Sequence, residues 1–184
     1  VLAEVGLSTS SFYRHFTSKE VLLAELVRRE AESARRYVQR AIEKAAGPTS
    51  ALEAWLDAVL DLFFESNKAA RTSVFSTPQV MSSPWMTEAI LDMRSYPSEP
   101  LVEVLRAGHE SGQLHSPTPD ADAVCIFAML SNAATSPRAF PGDRAAVRAL
   151  VVRFAWPALR VGDTAEPSQK RPRRSHRSST EQVP

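Results

Sequence analysis

An all-α chain is predicted by three features of the sequence: Ser/Thr-x-x-Glu pairs that open apolar 3.6-residue periodicities, Gly and Pro punctuation between those periodicities, and no Val/Ile/Thr alternation that would require a sheet. At 184 residues, the chain is long enough for a small module and a larger domain with its own core. No internal repeat is visible.

The first strong helix starts at Thr17, which with Glu20 has capping-box spacing. It is expected to run to Ala46, before Gly47-Pro48. Leu23, Val27, Ala31, Ala34, Val38, Ala41 and Ala45 lie along one face, and Glu25/Arg29 and Glu32/Arg36 form i,i+4 pairs on another. A second capping box, Ser50 with Glu53, opens a core helix carrying Leu52, Trp55, Leu56, Val59, Leu60 and Phe63. Residues 68–76 suit one short helix, and 76–84 read as a loop.

A helix is expected from Trp85 to Ser95, with Pro97 and Pro100 breaking or kinking it. Helical spacing resumes from Leu101 to Ser111, with Gly112 at the C-terminal cap. Thr118-Pro119-Asp120 supplies a cap, a first-turn proline and an acid at the positive end of the next helix, expected to reach about Ala134. A last helix begins after Pro141-Gly142-Asp143, with Val147, Leu150, Val151, Phe154 and Ala158 on one face and Pro157 bending its end. Residues 163–184, which include KRPRRSHR, have almost no large apolar side chain and are expected to form a disordered basic tail.

Charge is uneven. Residues 1–45 hold eight Lys/Arg against six Glu, and the tail five against three, so both ends are basic around a mildly acidic body. No apolar run reaches the roughly 18 residues of a membrane span, and no secretory signal pattern is present, which points to a cytoplasmic protein without a membrane partner. The single cysteine, Cys125, sits in the apolar run AVCIFAML and reads as a small buried hydrophobe; it excludes an internal disulfide and a cysteine-built zinc site. His15, His109, His115 and His176 include no i,i+4 pair, and no Gly-rich phosphate loop or nucleophile elbow appears. Neither catalysis, nor a metal, nor a cofactor is therefore expected.

Ahead of Thr17 stand two short pieces, VLAEV and STSSFYRHF, separated by Gly6-Leu7. Glycine suits the C-terminus of a first helix and Ser8 can cap a second, giving helix, tight turn, helix. Thr9, Ser10 and Ser11 put small hydroxylated side chains on the first turn of the second helix, with Tyr13, Arg14 and His15 beyond them and Phe12 and Phe16 facing inward. Small polar residues at base edges and donors farther along for phosphates are the layout of a DNA-reading helix. An ordinary helical hairpin with serine and threonine caps and a surface histidine fits the same spacing equally well.

VLAEVGLSTSSFYRHFTSKEVLLAEL, from Val1 to about Leu26, closely resembles the helix-turn-helix signature of TetR-family transcriptional regulators. The shared features are an alanine before the turn, the turn glycine, a Ser/Thr-rich reading helix, an aromatic-Tyr-x-x-Phe core, and Ser-Lys-Glu opening the connecting helix. Farther on, LVEVLRAGHESGQLHSPTPDADAV resembles the lead into that family's last helix pair. The resemblance implies a helix-turn-helix DNA-binding module with its connecting helix in 1–46 and a helical ligand-binding and dimerisation domain in 47–162. It implies Thr9, Ser10 and Ser11 at bases, and Tyr13, Arg14, His15 and Lys19 at phosphates or adjacent bases. Its further implications are a ligand-responsive regulator, expected to be a repressor, a homodimer through about 119–135 and 143–160, and a palindromic double-stranded DNA operator. Release would come from a small hydrophobic effector. Trp55, Phe63, Met81, Trp85, Met93 and Phe127 are the candidate pocket residues, although any one of them alone reads more readily as core. Ala128, Ser131 and Ala134 would allow close helix approach in the dimer.

Relative to that family's pattern the chain starts inside the second helix, so the first helix of the head is expected to be missing and the DNA module incomplete. An alternative is a helical dimerisation module that no longer binds DNA. A version extended N-terminally by roughly 25–30 residues is expected to bind an operator better, because Leu2, Phe12 and Phe16 would regain a burial partner at about 1.5–3 kcal/mol per fully buried side chain. Titration of both versions at one salt concentration checks this.

Overall fold

A computed structural model describes residues 19–66, 86–136, 138 and 140–162. Five helices are described: α1 Lys19–Ile42, α2 Pro48–Phe64, α3 Met86–Glu110, α4 Pro119–Thr135 and α5 Arg144–Ala158. No strand occurs among the described residues. The expected turn and reading helix, the short helix and loop within 67–85, and the tail after Gly162 lie outside them.

α1 is 24 residues long, about 36 Å at 1.5 Å per residue. It ends at Ile42, earlier than the expected Ala46, in a turn closed by the Lys44 N–H on Ala41 O and the Ala45 N–H on Ile42 O. Its apolar face is as expected from Ala31 onward: Ala31 and Val38 are buried, and Ala41 and Ala45 pack against the core. On the opposite side Arg29 Nε donates to Glu25 Oε1 at 2.8 Å, and Arg28 donates through Nε and Nη2 to both Glu25 oxygens at 3.0 and 2.9 Å. These two guanidiniums hold the Glu25 carboxyl at about 2, below its ordinary 4.5, because they stabilise the charged form. The support that Glu25 gives α1 is therefore complete above pH 4.5 and fades as the pH falls toward 2. An NMR titration of the Glu25 carboxyl is expected to show its midpoint near 2; a midpoint near 4.5 would refute the clamp.

α2 starts two residues before the expected Ser50 cap. Gly47 occupies the cap position and Pro48 the first turn, where a missing N–H costs nothing. Ser50 stands at N3 instead, accepting from the Gly47 N–H at 3.1 Å and donating to Gly47 O at 2.9 Å. The face read from the sequence is the core itself: Leu52, Trp55, Leu56, Val59 and Leu60 have no exposed surface. α2 touches all four other helices, α1 packs on α2 and α3, and α4 joins α3 to α5.

α3 corrects the expected break. One helix runs through Pro97 and Pro100, although each proline lacks an N–H and an interior proline costs about 3 kcal/mol. Tertiary burial outweighs the local preference: Ser98, Pro100, Leu101, Val104 and Leu105 are all buried on this helix. It ends as expected, with Gly112 at φ 72, a left-handed conformation that favours glycine.

The chain then folds back so that the Leu114 N–H reaches Gly108 O at 2.9 Å and the Leu114 side chain covers Gly108. A Cβ at Gly108 would lie 2.4 Å from Leu114 Cδ1 and 2.9 Å from Leu114 Cβ, and Leu114 is only 3% exposed. Gly108→Ala is expected to destabilise the protein by up to about 2 kcal/mol, overpacking of about 1–3 kcal/mol being offset in part by the roughly 1 kcal/mol gain in helix propensity. A urea midpoint lower than that of the parent checks it.

α4 begins as expected, with Thr118 at the cap, Pro119 in the first turn, and Asp120 and Asp122 beside the positive helix end. Thr118 Oγ1 donates to Asp122 Oδ1 at 3.3 Å rather than accepting from a helix amide, and the buried Ser116 hydroxyl donates to Asp122 Oδ2 at 2.6 Å. α5 is capped by Asp143, whose carboxylate accepts from the Ala146 N–H at 2.9 Å. Beyond Pro157 the Leu159 N–H still reaches Ala155 O, and the His115 N–H bonds Leu159 O at 2.7 Å, tying the α3–α4 loop to the end of α5.

Candidate functional site

Thr9, Ser10, Ser11, Tyr13, Arg14 and His15, the expected DNA contacts, lie outside the described residues, as do Met81 and Trp85. Lys19, the first described residue, lies on α1. Met93 lies on α3, but its side chain is outside the described set.

The other candidate pocket residues meet in the core. Trp55 on α2 has no exposed surface, Phe127 on α4 is 9% exposed, and Phe63 is half-buried against the same cluster. They share it with Leu101 and Leu105 of α3. Among the described residues no group of three or more His, Cys, Asp or Glu could hold a metal ion, and no helix is long and apolar enough to cross a membrane.

Exposed apolar residues occur on both α4 and α5, and here two sequence readings are corrected. Cys125 is exposed rather than buried, because the core-facing row of α4 is Ala123, Ile126, Phe127, Leu130 and Ala133, one residue out of step with it. On α5 the buried row is Val147, Val151, Ala155 and Leu159, while Phe154 is 57% exposed and Ala158 is exposed too. A row at i,i+4 spacing advances about 40° around the helix at each step, so by the last turns it has left the Phe154–Ala158 side facing outward. Val124, at 59% exposure, and Ala128 face outward on α4, and Ser131 and Ala134 are half-exposed. Arg153 stacks over the Phe154 ring at 4.8 Å. The amphipathic signal was present in the sequence, but its outward residues were indistinguishable there from core.

Charge gathers where α1, α2 and α5 meet, a cluster that sequence reading missed. Arg144 donates to Asp61 Oδ1 from Nε at 2.9 Å and from Nη2 at 2.7 Å, and its Nη2 also reaches Asp57 O and Oδ1 at 3.2 Å. Arg148 Nε donates to Asp57 Oδ1 at 3.0 Å, and the Tyr37 hydroxyl donates to Asp61 Oδ2 at 3.0 Å. Desolvation pulls the Arg144 pKa down, but the Asp61 hydrogen bond and the charges of Asp61 and Asp57 outweigh it and leave the guanidinium above its ordinary value. The partners lie 83 and 87 residues from Arg144 in the chain, so no local pattern reveals them.

No family model and no curated protein matches the sequence. Among solved structures, the chain is similar to a bacterial regulatory protein in the tetR family from Rhodococcus RHA1. The two are 19% identical, with 86% of this chain and 82% of that one covered at a TM-score of 0.59. With five described helices arranged in this way, the chain has the fold of a tetR-family regulator.

Proposed function

We propose that the protein is a ligand-responsive transcriptional regulator of the TetR family, a cytoplasmic repressor rather than an enzyme. It would bind a palindromic operator as a homodimer and be released by a small hydrophobic effector. The observation that carries this reading is the tetR-like fold of the described helices, joined in sequence to the helix-turn-helix-like stretch VGLSTSSFYRHFTSKE, whose last two residues lie on α1. Thr9, Ser10 and Ser11 would face base edges, with Tyr13, Arg14, His15 and Lys19 at phosphates or neighbouring bases.

The outward apolar row on α4 and α5 supports dimerisation through about 119–135 and 143–160, since a two-fold axis there would bury Val124 and Phe154 of both copies. Trp55, Phe63 and Phe127, with Met81, Trp85 and Met93, are the residues proposed to meet the effector. Their apolar character suits a hydrophobic molecule.

Selection from a random double-stranded DNA library tests the reading. Enrichment of an inverted repeat with half-sites about 34–36 Å apart is expected. Arg14→Ala should reduce the log-log salt slope by about 0.9. A sample that dimerises but retains no duplex would favour the alternative of an interaction module without DNA binding.

A further inference from the structure

We propose that Tyr37, Asp61 and Arg144 form a relay through which α1 and α5 set each other's position, with the Asp61 carboxylate as the shared node. α1 packs on α2 and α3 but not substantially on α5. The two helices meet instead on one side chain of α2. Asp61 Oδ2 accepts the Tyr37 hydroxyl of α1 at 3.0 Å, while Oδ1 takes the Arg144 Nε and Nη2 of α5 at 2.9 and 2.7 Å. Each oxygen thus serves a different helix.

The geometry makes the node directional. Arg144 grips a single oxygen with two nitrogens and is anchored again at Asp57, which also holds Arg148, so α5 and the acids of α2 move as a unit. A shift of α5 therefore carries the Asp61 carboxylate with it. The bond from the neutral Tyr37 hydroxyl to Asp61 is weaker than the arginine bonds to the same carboxylate and is the link of the node that yields first. Two arginines balance two aspartates, so exchange of the Tyr37 contact leaves no net charge behind. Asp61 is 23% exposed on its side chain, enough desolvation for the orientation of its bonds to matter and enough water for them to change. α1 is also held by Arg35 on Glu99 of α3 at 3.1 Å, an exposed pair outside this network.

The relay deepens the regulator reading and rests on it for its use: α1 would carry the DNA head, and α5 the dimer contact. Its existence is measurable without DNA, by hydrogen exchange on the full chain at one dimer concentration. Tyr37→Phe, which removes one oxygen, is expected to speed amide exchange about three- to tenfold in Lys19–Ile42 and also in Arg144–Ala158, a helix that Tyr37 does not bond. Arg144→Lys is expected to speed exchange in Lys19–Ile42. Arg35→Gln, which loosens α1 outside the relay, should leave Arg144–Ala158 unchanged. If the Tyr37→Phe effect stays within α1, or if Arg35→Gln alters α5 equally, the relay is wrong. Spread of the effect to α5 without any selected operator would keep the relay and sink the regulator reading. A recovered operator with exchange confined to α1 would do the reverse.

Discussion

Phe154→Glu is expected to turn the proposed dimer into monomers without unfolding them. Phe154 is 57% exposed in the single chain, so a glutamate there removes little from the protomer's own core. At a two-fold interface every substitution counts twice. Losing the burial of two phenylalanines, at about 1.5–3 kcal/mol each, weakens association by about 3–6 kcal/mol, roughly two to four powers of ten in Kd. Two facing carboxylates add repulsion. Sedimentation equilibrium should give the monomer mass at concentrations where the parent is dimeric, with the helical circular dichroism unchanged. A dimer of parental stability would remove α5 from the interface.

Trp55→Ala is the second large effect. Trp55 has no exposed surface and stands in the middle of α2, which touches each of the other described helices. Truncating a buried tryptophan costs about 3–5 kcal/mol, against a total of about 5–15 kcal/mol for a typical domain. The melting temperature is expected to fall by about 10 °C or more, and a urea titration should show the same loss. A loss below about 1 kcal/mol, accompanied by weaker effector binding, would instead make Trp55 a pocket wall rather than a keystone of the core.

What the sequence disclosed depended on the range of the interactions involved. The α2 face was legible because Leu52, Trp55, Leu56, Val59 and Leu60 repeat within one helix and all point the same way. Gly112 and Thr118-Pro119 were legible because caps are chosen by local backbone geometry. α3 was misread at Pro97 and Pro100 because a local rule met a burial that only the neighbouring helices create. Cys125 and Phe154 were misplaced for a related reason: an apolar residue that the fold leaves on the surface carries the same sequence signal as one that it buries. The Arg144–Asp61 cluster left no trace, since its members are common surface residues until α2 and α5 are set side by side. The DNA-contact residues of the candidate site rest on motif resemblance, and all but Lys19 lie outside the described residues.

The two ends of α5 are fastened by different physics. Near Leu159 the bond from the His115 N–H joins backbone to backbone at 2.7 Å, whereas at Arg144, about 22 Å away, the fastening consists of charges with 36–41% of their side chains exposed apart from Asp61. Salt screens the charged end and leaves the neutral one almost untouched. Raising the ionic strength is thus expected to act as an asymmetric lever, slackening α5 first at its N-terminal end with the other end as the pivot.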